Sequence, residues 1–283
     1  MATPIGNLED ITLRALRVLR EVSLIAAEDT RHSGRLLKHF AIETPMRSFH
    51  EHSDPARQAE ILKALETGDV ALISDAGMPG ISDPGFGLVT AALAAGVQVS
   101  PVPGATALTA AVPVSGIVPG GFLFLGFLPR RSSERRAALE PLRALSYPLV
   151  IYEAPHRLAA CLSDLEHILG DRPLTIAREL TKLHEEVIRT TLSEAQARFA
   201  LETARGEIVL VVGVAEATAS PIAIESPDVL ELLKERLTAG ESPSAAARSV
   251  AKSLGLPRSE IYARVNELKD RHRALSSEKS RSG

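Results

Sequence analysis

Residues 84–129 contain no Asp, Glu, Lys or Arg, and such a long uncharged run favours burial in or against a hydrophobic core. The run does not read as a membrane span, because Pro and Gly recur through it and interrupt every apolar stretch of helix length. We therefore expect it to form buried core and part of the contact between two lobes. We expect no association with a membrane.

Short apolar runs such as Val70–Ile73 and Val97–Val102 alternate with helical patterns, the first of which begins after the capping residue Thr12. Because these runs are almost continuously apolar, they predict largely parallel strands that are covered on both faces. Pro- and Gly-rich stretches at Val114–Gly121 and Ala217–Asp228 predict linkers. We expect α/β lobes over residues 1–116 and 117–218, followed by a helical extension over residues 223–283.

The extension differs in character from the rest of the chain. Three short helical patterns with a tight turn before the last one are typical of a helix-turn-helix. The extension has a positive balance of charged residues, although the whole chain has a net charge of −3. Its arginines therefore favour contact with a nucleic-acid backbone, although helix-turn-helix modules also serve as docking sites for proteins.

Several common motifs are absent, including the P-loop, the dinucleotide-binding glycine fingerprint, the serine-hydrolase elbow and the HExxH zinc motif. The single cysteine, Cys161, excludes a disulfide framework, and together with the lack of a visible secretory signal it favours the cytoplasm. We expect Cys161 to be inert core. His50 and His52 lack a third ligand nearby, so we expect no metal and interpret His52 as a phosphate or ribose contact.

Six polar loops each lie at the end of a predicted strand, the edge at which open parallel sheets bind ligands. In chain order they are ATPIGNLEDIT, AEDTR, SDAGMPGISDPG, VPGATA, YEAPHRL and RELTK. Together they predict a binding cleft.

These six loops, in this order, resemble those of the bacterial small-subunit ribosomal RNA cytidine-2′-O-methyltransferases. That family belongs to the tetrapyrrole (corrin/porphyrin) methylase superfamily of class III methyltransferases. The resemblance implies two α/β/α lobes with a helix-turn-helix-like extension, S-adenosylmethionine as cofactor, and a homodimer. It also implies 2′-O-methylation of a cytidine, position 1402, in the 16S ribosomal RNA of the small ribosomal subunit. The family has a short strand before its first loop, whereas here Met1 directly precedes Ala2. Either the start was assigned late or the strand was lost, and in the second case the first sheet lacks a central strand.

The resemblance further carries the superfamily's cofactor contacts over to ten positions, two in the first loop and the others along the cleft. They are Ile5, Gly6, Asp75, Gly77, Met78, Thr106, Ala107, Tyr152, Leu180 and Glu207.

Transfer of a methyl group to a ribose hydroxyl is helped by a general base. Four side chains near the strand ends stay open as candidates: Asp29, Glu153, His156 and Glu179. Binding of RNA requires positive charge, and the candidates besides His52 are Arg31, Arg130, Arg131, Arg135, Arg136, Arg258 and Arg264. Some of these charges could instead form a solvated helix face or a structural network.

Two other functions stay open. A tetrapyrrole or other small-molecule methyltransferase would share the cleft, but the basic extension disfavours this interpretation. A non-enzymatic regulator that binds nucleic acid through the terminal helices would leave the six loops unexplained.

Overall fold

The structure is a computed structural model that describes residues 1–50, 54–215, 227–254 and 261–266. Contacts divide the chain into two compact units, residues 1–215 and 216–283. The first unit contains two β-sheets with helices on both faces, which confirms the predicted α/β class. The predicted boundary after residue 116 lies inside this unit and stays a prediction.

The first sheet has three parallel strands in the order β2-β1-β3: β1 at Leu24–Ala27, β2 at Met46–Ser48 and β3 at Val70–Ile73. All four residues of β1 are buried, as expected for a central strand that is covered on both faces. One face packs against α1 (Leu13–Glu21) and α2 (Thr30–His39). The other packs against α3 (Pro55–Ala64) and α4 (Phe86–Ala94). Thr12 caps α1 as predicted, because its hydroxyl accepts the Ala15 N–H.

The second sheet has five strands in the order β4-β5-β8-β6-β7. They are β4 (Leu123–Phe127), β5 (Leu149–Glu153), β6 (Pro173–Arg178), β7 (Glu186–Thr191) and β8 (Ile208–Val212). Only β4 and β5 are parallel, and the other three pairings are antiparallel. The expectation of a largely parallel arrangement is therefore wrong for this sheet. The buried run of β8 is compatible with either direction, since both faces of the sheet are covered.

Helices also cover both faces of the second sheet. The outer face packs against α6 (Ser132–Leu139), α7 (Leu158–Leu169) and α8 (Leu192–Phe199). The inner face packs against α5 (Ala107–Ser115), which the sequence interpretation had placed with the first lobe. Ala111 of α5 is fully buried against Val209 and Val211 of β8, so apolar packing joins this helix to the second sheet.

Residues 97–102 were predicted to form a strand, and this prediction is wrong. Among the described residues, no strand lies between β3 and this segment. The Met1 amine donates to the Leu72 carbonyl of β3, and the Ala2 N–H donates to the Val102 carbonyl. The segment therefore meets the edge of the sheet through residues 1–3 alone, which is too little pairing to form a ladder.

The uncharged run is less buried than expected. Phe86 and Leu93 of α4 are 80% and 58% exposed, and Phe127 at the end of β4 is 55% exposed. Within the described ranges, no helix combines the length and apolar character needed to cross a bilayer.

The second unit begins, in its described part, with α9 (Pro227–Thr238), followed by α10 (Pro243–Leu254). Residues 261–266 are helical as well. Val229, Leu233, Val250, Ile261 and Val265 form its own small core. The predicted tight turn before the last helix falls on residues 254–256, most of which lie outside the described residues.

A buried ion pair joins α6 to α7. The Arg135 guanidinium donates to the Asp164 carboxylate over 2.7 Å from Nε, and both side chains are 3% exposed. Ser132 and Arg136 donate to the same carboxylate. Removing one partner of such a pair leaves an uncompensated charge in the core.

We expect Asp164→Ala to lower the free energy of unfolding by about 3–5 kcal/mol, because the Arg135 guanidinium would stay buried without a counter-ion. Urea denaturation followed by circular dichroism measures this change. Glu134→Ala, which removes the exposed pair with Arg131, is the control and should cost less than about 1 kcal/mol. Equal effects of the two substitutions would contradict the structural role of Asp164.

Candidate functional site

The first loop, residues 2–8, is bonded to loops of both sheets. Thr3 and Gly77 exchange backbone hydrogen bonds of 2.9 and 3.1 Å, which tie the loop to the turn after β3. On the other side, the Asn7 N–H donates to the Thr181 hydroxyl over 3.0 Å. Gly77 has a φ of +81°, a conformation that glycine adopts without strain. The loop thereby connects the carboxyl-end loops of β3 and β6.

A first cavity of about 370 Å³ opens between the two sheets. Its wall combines the turn after β3, the start of α5, the end of β5 and the start of β8. Nine of the ten predicted cofactor positions line it: Ile5, Asp75, Gly77, Met78, Thr106, Ala107, Tyr152, Leu180 and Glu207. The tenth, Gly6, lines a second cavity of about 320 Å³ that shares Ile5, Asp75, Ala76 and Glu207 with the first.

The wall of the first cavity is acidic. Its carboxylates belong to Glu28, Asp75, Asp83, Glu153 and Glu207, and no Lys, Arg or His is among its described lining residues. Glu153 has a fully buried side chain that accepts the Ala154 N–H and lies 3.1 Å from Arg157 Nε. An acidic wall of this kind favours a ligand that carries positive charge.

Asp83 is the carboxyl group in the cavity that the structure perturbs most clearly. Burial, followed by the negative charge of Glu28, raises the pKa of Asp83 to about 6. Burial likewise raises the pKa of Glu28 above its ordinary value. A carboxylate with a pKa near neutrality is well matched to accept a proton, so Asp83 is the strongest candidate for a general base.

Apolar groups and one anchored phenol form the rest of the wall. The Tyr152 hydroxyl accepts the Leu108 N–H over 2.9 Å, which joins β5 to α5. Burial raises the pKa of Tyr152, so the phenol stays protonated at neutral pH. Phe127 packs edge-on against Tyr152 with ring centroids 5.7 Å apart, and Ile5 and Leu180 complete the apolar part. The cavity therefore suits a ligand with flat or apolar parts as well as positive charge.

The four predicted base candidates lie in different surroundings, and only Glu153 lines the first cavity. Asp29 binds Arg31 through both carboxylate oxygens, and this pairing holds the pKa of Asp29 well below its usual range. This pairing weakens Asp29 as a proton acceptor, and its assignment as a base stays a prediction. Glu179 pairs with Lys182 over 2.9 Å, which lowers its pKa, and His156 is exposed and outside both cavities.

The predicted RNA contacts also differ in their surroundings. Arg135 is a correction, because its guanidinium is buried against Asp164 and cannot reach a substrate. Arg136 is partly exposed but bonds to the same carboxylate. Three candidates have exposed side chains: Arg31, Arg130 and Arg131. Arg31 is paired with Asp29, and Arg131 is paired with Glu134. Arg264 lies on the last described helical segment, whereas His52 and Arg258 are outside the described residues.

Sequence reasoning missed Asp83 and Glu28 as site residues, although both belong to loops that it singled out. The repeated Ser-Asp pairs of SDAGMPGISDPG were the available signal, because the loop brings its second aspartate, Asp83, back beside Asp75. Cys161 is fully buried in the outer core, as predicted, and burial raises the pKa of its thiol. Across the part of the chain that the structure describes, no three His, Cys, Asp or Glu side chains are grouped to hold a metal.

Comparison with known proteins identifies relatives of the chain. Residues 2–196 match the family model described as Tetrapyrrole (Corrin/Porphyrin) Methylases. A Synechocystis protein named ribosomal RNA small subunit methyltransferase I is 46% identical, over 93% of this chain and 94% of its own. A Thermotoga maritima protein of the same name is 50% identical, over 75% of this chain and 95% of its own.

Two solved structures show the same fold. The methyltransferase CobJ superimposes with a TM-score of 0.57 at 19% identity, over 74% of this chain and 90% of its own. Uroporphyrin-III C-methyl transferase from Thermus thermophilus, complexed with S-adenyl homocysteine, gives a TM-score of 0.51 at 19% identity. That superposition covers 73% of this chain and 92% of the other.

We expect NMR titration of the aspartate carboxyl carbons to give Asp83 an apparent pKa of about 6. Because this pKa exceeds the unfolded value of about 3.9, the folded protein binds more protons between the two. The contribution of Asp83 to the free energy of unfolding therefore declines as the pH rises from about 4 through 6, and Asp83→Asn removes this decline. Titration of Asp83 near pH 4 would contradict its burial.

Proposed function

Since the chain belongs to the tetrapyrrole (corrin/porphyrin) methylases, and within them to the ribosomal RNA small subunit methyltransferase I family, we propose that it methylates a ribose in 16S ribosomal RNA. The acceptor is the 2′-hydroxyl of the cytidine at position 1402, and the donor is S-adenosylmethionine. With this substrate, the protein acts on the small ribosomal subunit in the cytoplasm.

The acidic first cavity is the observation that carries the proposal. S-adenosylmethionine is a sulfonium with an ammonium group and a flat adenine, and it supplies an activated methyl group when bound. The carboxylates of Glu28, Asp75 and Asp83 match the positive charge, and the wall of Ile5, Ala107 and Leu180 matches the flat apolar part. The residues present therefore fit this cofactor in both charge and apolar character.

The residues of the chain position the two ligands and supply a proton acceptor. The first loop is bonded both to the turn after β3 and to the RELTK loop, residues 178–182. These bonds fix the positions of the two sheet edges around the cavity. A carboxylate oxygen of Asp83 accepts the proton that the ribose hydroxyl loses as its oxygen takes up the methyl group. At neutral pH, a pKa of about 6 leaves most Asp83 ionised and ready for this role.

We also propose that the protein is a homodimer. The exposed Phe86 and Leu93 lie on α4, within the uncharged run, and they give this helix an apolar outer surface. Apolar surface of this kind is typical of contacts between subunits.

The proposed function is tested by mapping ribose methylation in small-subunit RNA by mass spectrometry. Small subunits from cells without this protein are incubated with the purified chain and S-adenosylmethionine, and matched samples receive no protein. We expect one new 2′-O-methyl group, on cytidine 1402. Methylation of an added tetrapyrrole instead of the RNA would favour the small-molecule alternative, and binding of RNA without cofactor binding or transfer would favour a regulator.

We expect Asp83→Asn to lower kcat about 10²- to 10⁴-fold, because an amide cannot accept the proton. The kcat/KM of the unaltered protein, which reports the pKa values of the free protein, should rise with pH through about 6 and then level off, since the base works only when ionised. The variant should lack this rise. Asp69→Asn, on the exposed surface, is the control and should keep the original profile. A variant at Asp83 with unchanged kcat and pH profile would remove Asp83 from the reaction.

A further inference from the structure

The second cavity lies directly beside the first. It is bordered by the first loop, the first turns of α2 and Lys182, and its wall shares Ile5, Asp75, Ala76 and Glu207 with the first cavity. Ligands in the two cavities would therefore lie next to each other, beside these shared residues. A reaction that transfers a group from one ligand to another requires such a pair of neighbouring sites.

The two cavities differ in charge. The second brings His32, Arg35 and Lys182 to its wall against Asp75 and Glu207, whereas the described lining of the first contains five carboxylates and no basic side chain. The first wall therefore repels a phosphate group, whereas in the second wall Arg35 and Lys182 balance the two carboxylates. Charge thus excludes an anionic ligand from the first cavity, and the second can hold one where a cationic side chain is available.

The basic groups of the second cavity are not equally available. Lys182 is held by Glu179 and Glu207 over 2.9 and 3.3 Å. Arg31, one turn before Arg35, is folded back onto Asp29 and lines neither cavity. Arg35 forms no hydrogen bond or ion pair with any described residue, so its guanidinium can reach a phosphate that enters the cavity.

A buried hydroxyl supplies an independent sign of a ligand. Ser33 lines the second cavity, is 2% exposed, and its Oγ has no hydrogen-bond partner within the described ranges. Buried hydroxyls in folded proteins are almost always paired. Ser33 lies in the first turns of the ten-residue helix α2, where the helix dipole adds to the attraction of an anion.

We propose that the second cavity holds the sugar-phosphate of the nucleotide that receives the methyl group, with Arg35 and Ser33 binding its phosphate. This inference rests on the proposed function, because it takes RNA as the acceptor. It assigns substrate recognition to Arg35 of α2, whereas the sequence predicted Arg31 of the same helix as an RNA contact.

The test compares Arg35→Gln and Ser33→Ala with Lys38→Gln, which removes an exposed charge from the same helix outside both cavities. Methylation of small subunits gives KM and kcat, and calorimetry gives the affinity for S-adenosylmethionine. We expect Arg35→Gln to raise KM for the subunit about tenfold and Ser33→Ala to raise it less. Lys38→Gln should change KM less than about twofold, and the cofactor affinity should stay the same in all three variants.

Salt dependence provides a second readout that a merely structural role would not move. The slope of the logarithm of RNA affinity against the logarithm of salt concentration should become shallower by about one for Arg35→Gln alone, since one phosphate contact is lost. A short RNA oligonucleotide containing the target cytidine serves as the probe. An unchanged slope together with an unchanged KM would overturn the proposal.

Failure of the proposed function is distinguishable from failure of this inference. If the unaltered protein transfers no methyl group to small subunits, the proposed function fails. In that case, binding of the oligonucleotide still tests whether the second cavity holds a phosphate. A shallower slope for Arg35→Gln, with Lys38→Gln unchanged, would support the phosphate site without turnover, and equal slopes would reject it.

Discussion

The arrangement of the site depends on one loop that is held from two directions. Thr3 pairs with Gly77 through backbone bonds, while Gly6 packs so tightly on the RELTK loop that an added Cβ would lie 2.5 Å from Lys182 Cγ. The only side chain that fits at this contact is therefore a hydrogen atom. Because the loop borders both cavities, any shift of its backbone would change both ligand sites at once.

Electrostatics then distinguishes the two cavities that this loop separates. Carboxylates collect at the first because Glu28, Asp75 and Glu153 each end a strand or begin the loop after one, and the strand ends converge there. Their burial and their mutual repulsion raise the pKa values of Glu28 and Asp83. Basic side chains on α2 and in the RELTK loop line the second cavity, where they balance the carboxylates. The two neighbouring cavities thus differ clearly in charge.

The sequence predicted those parts of the structure that local patterns determine. The strand at Val70–Ile73, the capped helix after Thr12 and the buried Cys161 all follow from short-range patterns of apolar and capping residues. Nine of the ten predicted cofactor positions line one cavity, and the loop motifs, taken with the family resemblance, had predicted that they lie together at a strand edge. Asp83 and the burial of Arg135 could not be predicted in this way. Each depends on contacts made far along the chain: Asp83 is buried in the cavity and lies near Glu28, and Arg135 is paired with Asp164.

The isolation of the single thiol has a practical consequence. Cys161 lies in the outer core of the second sheet with no exposed surface, and its raised pKa keeps it in the unreactive protonated form. Maleimide reagents will therefore not react with Cys161 in the folded protein. A cysteine introduced at a surface position on each side of the cleft can carry a fluorophore or spin label without replacing the native residue. Distances between the two sheets then become measurable in solution as ligands are added.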